Sequence, residues 1–98
     1  MKIRFGEHAS SDLDAIYAYY EVVRSGLGDD FVDEIEGLLR GVESFPRAAP
    51  SVGKGVRVVR SRRFPYGVYY QVKEDEAVVI GIIHFSRRPG IWRKRIEP

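Results

Sequence analysis

A chain of 98 residues with 44% hydrophobic, 12% aromatic and 31% charged residues has the composition of one folded domain, 1–98, and excludes a two-domain enzyme. It contains no cysteine and two histidines, which removes disulfides, thiolate catalysis and Cys-ligated zinc and leaves little metal chemistry, so no metal and no cofactor are expected. The longest apolar run, Ala77–Ile83 with Phe85 beyond His84, is strand-sized and falls short of the roughly 20 residues of a bilayer span, so no membrane partner is expected.

The net charge of +2 hides an uneven distribution. Residues 1–46 carry 4 Lys+Arg against 10 Asp+Glu, net −6, and residues 47–98 carry 12 against 4, net +8. If the second half folds into one surface, its field suits nucleic acid or an acidic protein. The N-terminus, Met1–Glu7, lacks the apolar segment of a signal peptide and reads as a strand, which leads us to expect a cytoplasmic protein.

Lys2–Gly6 alternates, with Ile3 and Phe5 on one face, and gives a first strand. A helix is expected from about Ser10, where a serine can cap and Asp12 and Asp14 sit favourably at the N-terminus. Its apolar positions are Leu13, Ile16, Tyr17, Tyr20 and Val23, and Gly26 and Gly28 stop it. A second helix from Asp29 or Asp30 carries Phe31, Ile35, Leu38, Val42 and Phe45 and ends at Pro46. Gly37 and Gly41, four apart, predict a close approach by the first helix or the sheet.

Pro46–Gly55, with its prolines and glycines, reads as the one long connection. Three strands are expected after it, Val56–Ser61, Gly67–Lys73 and Glu76–Phe85, the last two joined at Glu74–Asp75. Val68, Tyr70 and Val72 share a face, and the continuous run of the last strand predicts cover on both sides. The fold class is α+β, in the order β-α-α-β-β-β, with a helical hairpin on one face of a small, twisted, mostly antiparallel sheet.

The tail, Ser86–Arg95, places five cations around the single Trp92. The element order resembles the RelE/ParE superfamily of type II toxin–antitoxin toxins. The residues that carry this are Asp12-Leu13 and Tyr19-Tyr20, the Phe45-Pro46 stop, Arg63-Phe64-Pro65-Tyr66, Val68-Tyr69-Tyr70 and Ile83-His84-Phe85-Ser86-Arg87-Arg88-Pro89. The resemblance implies a small growth-inhibiting toxin kept silent by a cognate antitoxin. RelE-like members cut messenger RNA on the ribosome without metal, whereas ParE-like members poison DNA gyrase. A shared fold does not choose between them.

A metal-free nuclease needs a proton acceptor, a donor for the leaving oxygen and cations for the phosphorane. His84 with Arg60, Arg63 and Arg87 is the candidate set, although a polar cap on a buried strand is the simpler account of His84. The nuclease branch commonly uses a tyrosine or further histidine in the C-terminal segment, and beyond Tyr70 and His84 this chain has neither. That departure favours the ParE-like branch, with Arg87, Arg88, Trp92, Arg93 and Arg95 as its target-binding residues. The antitoxin is expected as an amphipathic, acidic segment beside the hairpin, with Tyr17, Tyr20 and Val23 on the margin and Arg60 and Arg63 taking its charge. A third possibility is a toxin-like fold without toxicity that serves only to bind its antitoxin.

Overall fold

The computed structural model describes residues 1–96. The alternation at the start forms β1 (Lys2–Phe5), and two helices follow, α1 (Glu7–Val23) and α2 (Leu27–Ser44). After them come β2 (Ser51–Gly53), β3 (Val56–Arg60), β4 (Tyr66–Lys73), β5 (Glu76–His84) and a short 3-10 helix in the tail, Ile91–Arg95. The strands make one sheet in the order β1-β5-β4-β3-β2. β1 runs parallel to β5, and the remaining pairs are antiparallel. The α+β class and the helical hairpin stand as expected.

Several local features differ from the sequence reading. The first helix begins at Glu7 rather than Ser10, because the chain turns into it directly from Gly6, whose carbonyl accepts the Ser10 amide at 3.0 Å. The second begins at Leu27 rather than Asp29. Its N-terminus has no cap of its own; Glu21 of α1 reaches across, and its carboxylate accepts the amides of Gly26 at 3.0 Å and Gly28 at 2.7 Å. A carboxylate there meets the positive end of the helix dipole. The segment Pro46–Gly55 is not all connection, since β2 pairs with β3 through a two-residue turn at Lys54–Gly55. Three residues are too few to leave an alternation signal.

One core fills the space between hairpin and sheet, built from Ala9, Ile16, Phe31, Ile35 and Val42 of the helices against Val68, Tyr70, Ala77, Val79 and Ile82. Tyr70, fully buried, donates its hydroxyl to the Pro46 carbonyl at 2.7 Å and so fixes the end of α2. Val23 and Phe45 lie outside this core at 57% and 71% exposure. Gly37 and Gly41 admit no close neighbour: beside Gly41 there is open space, and at Gly37 only the Arg40 side chain comes near. They leave a hollow in α2. A second core lies on the opposite face of the sheet, where Trp92 covers Val56, Val78, Ile80 and Ile83. β5 is therefore covered on both faces, as its apolar run requires.

Candidate functional site

The tail is seated by two contacts from the second face. Trp92 is 4% exposed, so it supports the tail rather than presenting a contact surface. Arg95 is likewise committed: its guanidinium donates to both carboxylate oxygens of Asp12 and to the Ile80 carbonyl at 3.2 Å. Asp12 also accepts the Ile82 amide at 2.9 Å. These groups lie where β1 has ended and where Ile80 stands as an extra residue opposite Tyr69–Tyr70, so Asp12 and Arg95 satisfy backbone that no strand pairs. Gly81 makes room, since a Cβ there would stand 2.5 Å from the Arg95 Nη1. Asp12 is thus a buried-side residue of α1 and not a charge at its N-terminus.

Seating the tail brings three arginines to this face beside Arg60. Arg60 at the end of β3 lies 4.4 Å above the ring of Phe85, and Phe85 in turn folds over Gly67, where a Cβ would come within 3.0 Å of it. Arg87 and Arg88 are exposed in the loop before Gly90, and Arg93 stacks 5.1 Å from the Trp92 ring. A cavity of about 190 Å³ opens between Arg60, Arg87, Arg88 and Tyr69. A larger one of about 530 Å³ beyond it shares Tyr69 and reaches Arg93. Among the described residues no acidic side chain pairs with these four cations.

The basic half does not form a single field. Arg63 donates to Asp30 at 2.9 Å on the hairpin side, and Arg57 donates to the carbonyls of Arg47 and Ala49. Arg60 and Arg63 therefore do not share an edge. Within the strands, the register places His84 and Arg60 on opposite faces. Tyr66 pairs with His84, and their rings meet edge to face at 5.0 Å on the hairpin face. Arg60 pairs with Gly67, and Gly67 with Ile83, on the tail face. His84 lines the same cavity as Arg60 and Arg87, and its Nδ1 accepts the Ser86 amide at 2.9 Å. Burial pushes the Tyr66 phenol above its usual range, which makes it a poor base.

On the hairpin side, Tyr20 belongs to an aromatic cluster with Phe31, Phe64 and Tyr66, and burial raises its phenol as well. Tyr17 is held up chiefly by the charges of Asp29 and Glu21. Of the three residues expected at the antitoxin margin, only Val23 offers open apolar surface. The apolar groove lies elsewhere, at the end of α2: Leu38, Val42 and Phe45 face Val59 and Tyr70 across a hollow of about 370 Å³ floored by Gly37 and Gly41. In the sequence the glycine pair reads as a close approach and Phe45 as part of the apolar stripe of α2, so the groove goes unread there.

The turn between β3 and β4 is fixed from α2. Ser61 donates to Glu34 at 2.6 Å and accepts the amides of Arg63 and Phe64. The Ser61 hydroxyl holds the Glu34 carboxyl below its ordinary range, aided by the Arg62 and Arg63 amides and opposed by burial. Among the described residues no three His, Asp or Glu side chains come together to hold a metal, and no helix is long and apolar enough to cross a membrane.

The family model of the ParE toxin of type II toxin–antitoxin systems, parDE, matches residues 3–89. Among solved structures, the chromosomal ParDE TA system from P. aeruginosa is similar, with a TM-score of 0.76 and 26% identity over 86% of this chain and 95% of that one. No curated protein matches the chain significantly.

Proposed function

The chain belongs to the ParE toxin family of type II toxin–antitoxin systems, and on that premise we propose that it stops growth by poisoning DNA gyrase in the cytoplasm and is silenced by a cognate antitoxin. The observation that carries the gyrase reading is that His84, although it lines one cavity with Arg60 and Arg87, has its ring packed on Tyr66 and its Nδ1 engaged by the Ser86 amide. RNA cleavage needs a base, an acid and cations around one phosphate. Here the imidazole packs on Tyr66, and Arg63 is paired with Asp30. A poison needs a binding surface instead, and Arg87, Arg88 and Arg93 supply one, with Trp92 and Arg95 holding the loop that carries them.

A relative solved as a ParDE system supports the antitoxin partner. The groove beside Phe45 supports it too, because a segment that folds on binding must bury apolar side chains to offset its ordering. Expression from a tight promoter, with DNA synthesis and translation followed separately, tests the reading. DNA synthesis is expected to stop first, with gyrase-linked breaks accumulating. Translation stopping first, with cleaved mRNA on ribosomes, would replace the gyrase reading by the nuclease. Unaffected growth with antitoxin binding intact would leave a non-toxic binding module.

A further inference from the structure

The tail face of the sheet differs in kind from the hairpin face. The hairpin face has the apolar groove that a folding protein segment requires. The tail face has a furrow of two adjoining cavities lined by cations and aromatic rings. Arg60 is held in place by its ring contact with Phe85, so its planar guanidinium is oriented before any ligand arrives. Arg87 and Arg88 flank it, and Arg93 lies at the far end beside Trp92. Tyr69 sits where the cavities meet, and its hydroxyl makes no hydrogen bond to a described residue.

We propose that this furrow binds the phosphodiester backbone of a nucleic-acid strand, with Arg60, Arg87, Arg88 and Arg93 on successive phosphates and Tyr69 donating its hydroxyl to the strand between them. Guanidinium forks match phosphate oxygens, and stacked arginines and tyrosine tolerate any base. An acidic protein segment would meet the charge, but the apolar groove formed by Leu38, Val42 and Phe45 lies across the sheet. The inference does not depend on which machinery the toxin arrests, and it is measured with no gyrase or ribosome present.

Fluorescence anisotropy of one short labelled sequence, as single-stranded DNA, as duplex and as RNA, titrated with the purified chain across a salt series, tests the proposal. Four phosphate contacts predict log K falling with log salt at a slope of about −3 for a single strand and about −3.5 for a duplex. Changing Arg87 and Arg88 together to Ala is expected to reduce the slope by about 1.5, with Trp92 fluorescence unchanged because the tail stays seated. Arg60→Lys is expected to keep the slope and lose affinity severalfold, since the charge remains and the stacked plane does not. Arg24→Gln, on the hairpin side, removes one charge away from the furrow and is expected to change nothing. An equal loss in Arg24→Gln would reduce the effect to net charge and overturn the proposal. Displacement of the oligonucleotide by an equimolar polyglutamate peptide would overturn it in favour of an acidic protein partner.

Discussion

A Cβ at position 28 would stand 2.8 Å from the Tyr17 carbonyl oxygen and 2.9 Å from its ring, and the carbonyl belongs to a helix that cannot step aside. Gly28→Ala is therefore expected to lower stability by about 1–3 kcal/mol, the range for overpacking, read as a lower urea midpoint at unchanged slope. Its companion at this scale is Glu34. The Ser61 hydroxyl places its folded pKa below the ordinary 4.5, so its stabilisation is complete above that value and is lost as pH falls through the folded one. Glu34→Gln, which keeps the shape and removes the charge, is expected to flatten the stability profile below about pH 4.5 and leave its neutral limb parallel to that of the parent. Thermal melts across an acid series check this; an identical acid limb in both proteins would refute it.

The tail behaves as an element because an ion pair closes it. Asp12 and Arg95 keep only 19% and 17% of their side chains exposed, and the backbone groups they satisfy have no strand partner. Asp12→Asn or Arg95→Gln is expected to cost about 1.5–3 kcal/mol, typical of hydrogen bonds to charged groups. The double variant should cost less than the sum, since the two act as one unit. Strict additivity in chemical denaturation would refute the coupling. Legibility at this scale follows from periodicity. β3 to β5 declared themselves through alternation and a continuous apolar run, and the hairpin through spacing of three and four. Asp12 also carried a signal that went unread, because it lies three residues after Ala9 and four before Ile16, on the face that α1 buries. A charge in a buried stripe demands a partner, but nothing local identifies one 83 residues away.

At the scale of the molecule, the charge division by sequence halves was legible and its arrangement in space was not. Register decided that Arg60 faces the tail while Tyr66 and His84 face the hairpin, and register depends on pairing across the sheet. The glycine pair in α2 was visible too, yet two small residues describe a close contact and an open groove equally well until the neighbouring chain is placed. Filling or trimming that groove separates partner binding from folding. Phe45→Ala, at a position 71% exposed, is expected to change stability by less than about 0.5 kcal/mol while weakening antitoxin affinity tenfold or more, as loss of an aromatic anchor does; calorimetric titration with the antitoxin reads it, and unchanged affinity would move the anchor elsewhere. The parallel pairing of β1 with β5 adds a matter of timing. The strand made first has no neighbour in the sheet until the strand made last is synthesised, and every hydrogen bond between them spans some seventy residues. The sheet therefore closes only after nearly the whole chain has left the ribosome, so a nascent chain carries no finished surface, and one broken off before β5 never acquires one.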